Sequence, residues 1–181
     1  MTQPKSAYSF AEQEEQIERH TFAILVDNRP GILARVIGMF AARAYNIECL
    51  TVAPVDLAKT MSRITIVTTG TPKTIAQIKA QLSSIVAVHT AVGLSEFEHV
   101  EKEIALVKVK TNDKEHREVL RFAEVFKAEV VDATLESLQF MIVGDAKRVS
   151  QFLELLEQLG QIEVARSGVV AMSCGSDILV V

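Results

Sequence analysis

The chain of 181 residues has only two cysteines, no marked excess of either charge and no long apolar run. Cys49 and Cys174 stand far apart, which argues against a disulfide framework and against a zinc-ligand spacing; both are expected as buried small hydrophobes. A net charge of −4 with 23% charged residues supplies no basic field for nucleic acid and too little like charge to force disorder. No stretch approaches the ~18 apolar residues of a membrane helix, and the opening of the chain lacks the basic-then-apolar order of a signal peptide. A soluble cytoplasmic protein is expected, with residues 1–19 as a flexible N-terminal extension.

Motifs of catalysis are missing as well. There is no phosphate-binding Walker loop, no dinucleotide glycine pattern and no nucleophile elbow. His20, His89, His99 and His116 show no metal-ligand spacing, so no metal is expected. No candidate acid, base and nucleophile converge. A transcription regulator would need a helix-turn-helix and a basic face, and neither is visible.

What is present is a plan that runs twice. Hydrophobic residues make up 49% of the chain, enough for a real core. Thr21 to Val26 reads as a buried strand, and a helix follows to about Ala44 with Ile32, Leu33, Val36, Ile37 and Phe40 on one face. Strands are predicted over 47–52 and 62–68, then a helix opened by Thr71 and Pro72 and closed near Ser84, then a strand over 86–94. The same order returns as a strand over 103–110, a helix over 114–127, strands over 129–134 and 138–143, a helix over 145–159 and a strand over 162–166. The helix of residues 114–127 mixes Asp113, Glu115, Glu118 and Glu124 with Lys114, Arg117 and Arg121, as a solvated, ion-paired face does. Strand, helix, strand, strand, helix, strand is the split βαβ plan, so the fold class is α+β with two tandem ferredoxin-like βαββαβ domains. Residues 20–96 form the first domain and 97–181 the second.

The halves differ at the first strand-to-helix turn. Asn28, Arg29, Pro30 and Gly31 stand in the first, against Thr111, Asn112, Asp113 and Lys114 in the second. A helix start leaves backbone N–H groups unpaired and suits a carboxylate, Pro30 fits a first helical turn, and Gly31 lets a ligand approach. Asn28 can cap the helix or face a ligand. The same four residues would serve equally well as a plain helix start.

An Asn-Arg-Pro-Gly loop inside a βαββαβ unit resembles the ACT domain, a module that binds amino acids in regulatory proteins. The stretches Gly31 to Pro54, Met61 to Ile66, His99 to Ile104 and Glu163 to Val170 closely resemble the acetolactate synthase small subunit family, over residues 20 to 173. The resemblance implies a non-catalytic regulatory subunit that binds valine, or leucine or isoleucine, where two ACT domains pair in a homodimer, and that confers feedback inhibition on a catalytic subunit and activates it. Thiamine diphosphate, magnesium and FAD would belong to that catalytic subunit, with no cofactor in this chain. Matching effector positions are Asn28, Gly31 and Asn46, with Arg29 and Pro30 in the same loop and Ile32, Leu33 and Ile47 as an apolar wall. Asn46 also reads as a turn residue, since Asn tolerates unusual backbone angles. A stand-alone ACT-type sensor acting on another enzyme or on a transcription regulator is the alternative.

Overall fold

A computed structural model describes residues 16–179, apart from the side chains at 113 and 114. Most of the extension expected over 1–19 therefore lies outside the described residues. The first sheet is built from β1 (Glu18–Asp27), β2 (Cys49–Pro54), β3 (Met61–Gly70) and β4 (Val88–Gly93), in the order β2-β3-β1-β4. β3 runs antiparallel to β1 over its whole length, from Glu18 opposite Gly70 to Asp27 opposite Met61. Among the described residues β2 is an edge strand, paired on one side only.

Two helices cover one face of this sheet. In α1 (Ile32–Ala41) the residues Ile32, Val36 and Phe40, one turn apart, are buried. α2 (Pro72–Ser83) is capped by Thr71, whose hydroxyl accepts from the Thr74 N–H, with proline in the first turn. Its Ile75, Ile78 and Leu82 meet Phe22, Ile24, Val26, Ile64 and Ile66 in the first core. α1 stops three residues short of the predicted Ala44, because Ala44 takes a left-handed φ of 53° that no α-helix can continue.

The second half repeats the plan. β5 (His99–Lys110), α3 (Asp113–Phe126), β6 (Glu129–Ala133), β7 (Ser137–Gly144), α4 (Ala146–Glu157) and β8 (Gln161–Arg166) give the strand order β6-β7-β5-β8. Val107, Phe140, Phe152 and Leu156 lie at the centre of its core. Among the described side chains of α3 no ion pair within 4.0 Å is formed; Asp113 and Lys114, which belong to the expected pairing, lie outside the described side chains.

One strand was not foreseen. β9 (Val170–Ser173) pairs with the start of β5, from Lys102 opposite Val170 to His99 opposite Ser173. This two-stranded ribbon lies on the helix-free face of the first sheet, where Val169 and Ala171 join Ala23, Val67 and Leu94 in a third cluster. It explains why β1 is buried on both faces. The Arg63 guanidinium donates to the Ala171 carbonyl at 2.7 Å, and Thr51 to the Val169 carbonyl at 3.0 Å. Cys49 takes part too, its Sγ accepting from the Val169 N–H at 3.0 Å. Cys49 is thus half-buried and Cys174 is exposed, which corrects the expectation that both are buried. Polar contacts extend the seam: Arg19 and Thr21 bind Glu101, and Arg166 binds the buried Glu103.

Candidate functional site

The loop from Asp27 to Gly31 closes the top of β1 and opens α1. The N-cap of α1 is Gly31, at φ 86° and ψ −12°, and no side chain caps it. Asn28 is therefore not the cap, and Pro30 stands before the helix rather than within its first turn. A Cβ on Gly31 would meet nothing within 4 Å, so the left-handed φ, not crowding, is the local reason for glycine. The space in front of the helix start is open.

Asn28 is committed to a neighbouring turn. Its backbone N–H donates to the Thr60 carbonyl at 2.8 Å and its Nδ2 to the Lys59 carbonyl at 2.7 Å. Only the amide nitrogen can donate to a carbonyl, so Oδ1 is left facing outward as an acceptor, without a partner among the described residues. The turn it holds is itself braced by Asp56, whose carboxylate accepts from the Thr60 hydroxyl at 2.6 Å, the Thr60 N–H at 3.0 Å and the Met61 N–H at 2.9 Å. Those bonds, from the Thr60 hydroxyl first, hold the Asp56 carboxyl below its ordinary range. Neither the turn nor its tie to Asn28 was read from sequence.

Asp27 was missed too. Its carboxylate meets His89 Nε2 at 2.8 Å and Arg29 Nε at 3.7 Å. The His89 hydrogen bond, with help from Arg29, lowers its titration. Arg29 is thereby drawn sideways along the loop. Ile32 faces the core and is 9% exposed, Leu33 and Ile47 pack partly against that core, and Asn28, Arg29, Pro30, Gly31 and Asn46 are exposed.

Asn46 and Ile47 do not join the loop within one chain. The Asn46 carbonyl accepts from the Thr68 hydroxyl at 2.5 Å, and Glu48 N–H donates to Val67. Thr68 lies at the far end of β3 from Met61, which faces Asp27. With the usual rise per strand residue the two sets stand about 23 Å apart along the sheet. The structure brings Asn28 to Gly31 together with the β2–β3 turn, and leaves Asn46 at the opposite end.

Comparison with known proteins agrees with the architecture in both halves. Residues 22–90 match the AHAS small subunit-like ACT domain, and residues 102–175 match the small subunit of acetolactate synthase. The acetolactate synthase small subunit of Haemophilus influenzae is 40% identical over 158 residues, covering 87% of this chain and 96% of that protein. The chain belongs to the acetolactate synthase small subunit family. The isozyme 3 small subunit of Salmonella typhimurium is 41% identical, covering 89% of this chain and 99% of that one. In three dimensions the chain is similar to the crystal structure of the acetolactate synthase small subunit from Thermotoga maritima, with a TM-score of 0.79 and 33% identity over 88% of this chain and 99% of that one. Family membership places the chain in branched-chain amino acid biosynthesis, and the fold of its first half is that of a regulatory ACT domain. No helix among the described residues is long and apolar enough to cross a membrane.

Proposed function

We propose that this chain is the non-catalytic regulatory subunit of an acetolactate synthase, binding valine at a seam between two copies of its first sheet. Residues 20–96 are the effector-binding domain, and residues 97–181 help to engage the catalytic subunit, which carries thiamine diphosphate, magnesium and FAD. The observation that carries this reading is the separation of Asn28 and Gly31 from Asn46. A free amino acid is far shorter than about 23 Å, so one chain cannot close both sets on one ligand. β2 runs parallel to β1 and has a free edge. Pairing two such edges about a two-fold axis sets the Gly31 end of one copy beside the Asn46 end of the other. It also covers Val52, Val55 and Leu57, which stand exposed on or beside that edge.

At each end of the seam the open N–H groups near Gly31 receive the carboxylate, and the free Oδ1 of Asn28 accepts from the ammonium. Leu33 and Ile47 offer apolar surface. Inhibition follows by linkage, since valine favours whichever arrangement binds it more tightly, with typical couplings of about 1–3 kcal/mol. Valine titration with sedimentation of the full chain tests this, comparing the wild type with Val52→Lys. The wild type should bind valine as a dimer, whereas the variant should be monomeric and lose binding. A monomeric wild type that binds valine as tightly would overturn the shared site.

A further inference from the structure

At the opposite end of the first sheet from the Gly31 loop, a cleft of about 500 Å³ opens between α2 and the start of β1. Its wall is apolar along Ile75, Ala76 and Ala80. Lys79 and Glu96 stand at its mouth with opposite charges, the ammonium 2.8 Å from each carboxylate oxygen. Their side chains are 39% and 41% exposed, so this pair contributes little to stability and can open. Beside them lies His20, 7% exposed, whose Nε2 has no hydrogen-bond partner among the described residues. A buried ring nitrogen without a partner is costly in a finished core.

The backbone keeps this arrangement open. A Cβ on Gly93 would stand 2.6 Å from His20 Nε2 and 2.7 Å from Glu96 Oε1, so a side chain there would displace one group or the other. Ser95 accepts from the Thr21 N–H at 3.0 Å, which ties the short 3-10 turn Leu94–Glu96 to β1. Burial pushes the His20 titration down, with Lys79 and His99 acting in the same sense and Glu96 and Glu18 against it. The ring is neutral at pH 7 and its Nε2 can serve as an acceptor.

We propose that this cleft is a second small-molecule site, which takes a zwitterionic α-amino acid with an aliphatic side chain. The ligand parts Lys79 from Glu96 and replaces each lost contact. Its carboxylate takes Lys79, its ammonium takes Glu96 and donates to His20 Nε2, and its side chain lies on Ile75, Ala76 and Ala80. Opposite charges at the mouth and an apolar wall behind them match this one class and reject a simple anion or cation. The site shares no residue with the Gly31 loop and does not depend on that loop binding valine.

The test is equilibrium dialysis of labelled L-leucine and L-valine against the full chain carrying Asn28→Ala, with the His20 Cε1–H resonance followed by NMR. Saturable binding of one ligand per chain that moves the His20 resonance is expected. Lys79→Met and Gly93→Ala should each weaken it by about tenfold or more, and 4-methyl-2-oxopentanoate, which lacks the ammonium, should bind at least about tenfold more weakly than L-leucine. Lys79 is exposed, so its variant folds even if Gly93→Ala does not. Absence of saturable binding by the folded protein, binding indifferent to Lys79→Met, or equal binding of the oxo acid would overturn the proposal.

Discussion

The carboxamide of Asn28 and the backbone of Lys59 are joined by a 2.7 Å hydrogen bond that links the start of α1 to the β2–β3 turn. Lys59 itself holds a left-handed φ of 53°, so the carbonyl that receives the bond is presented by a strained residue. The Asn28–Gly31 loop and the turn beside the sheet edge are thus one mechanical unit.

Asn28→Asp tests that unit. The substitution keeps the shape but sets an acceptor against the Lys59 carbonyl. Chemical denaturation should show a loss of about 1 kcal/mol. Valine titration should show weaker binding, because the loop that presents the Gly31 N–H groups loses its tie to Lys59.

Two glycines in and beside α1 should respond in opposite senses. Gly31→Ala places a side chain at φ 86° and should cost about 1 kcal/mol, with weaker valine binding. Gly38 lies inside α1 with open space where its Cβ would stand, so Gly38→Ala should add roughly 0.5–1 kcal/mol. Thermal melts of the two variants at one protein concentration make the comparison.

His20 makes stability depend on pH. Its folded titration lies below the ordinary 6.5, chiefly because burial disfavours the charged ring. Below that pH the unfolded chain takes up a proton that the folded chain resists, so the contribution is whole above pH 6.5 and is lost as pH falls toward the folded value. Denaturation midpoints at pH 7.5 and 5.5 should differ for the wild type and differ less for His20→Phe. A midpoint difference unchanged in His20→Phe would refute the assignment.

Gly168 and Cys49 report on the seam between the two halves. Gly168 has φ 79°, and a Cβ there would stand 2.8 Å from Cys49 Sγ and 2.9 Å from Thr51 Cγ2. Gly168→Ala should therefore destabilise the chain by about 1–3 kcal/mol. A thiol reagent should modify Cys174 rapidly and Cys49 slowly in the wild type, and Cys49 should become faster in the variant.

The order of elements was legible because each has a local cause. Val36 and Phe40 recur at helical spacing, Thr71 and Pro72 mark a helix start, and strands such as Ile64 to Val67 are apolar enough to be central. The Asn28 to Gly31 loop stood out by its difference from the second half, and its resemblance to a family pointed to a ligand. What local sequence could not carry was any contact between distant segments. β9 is only four residues long, and its inward side chains are explained by Ala23 and Val67 from the other half. Cys49 is half-buried because Val169 lies over it, and Asn28 faces outward through Oδ1 because Lys59 holds its other end. Composition and periodicity determine which residues turn inward along one element, whereas the register of β1 against β3 decides that Asn28 and Asn46 stand at opposite ends of one sheet.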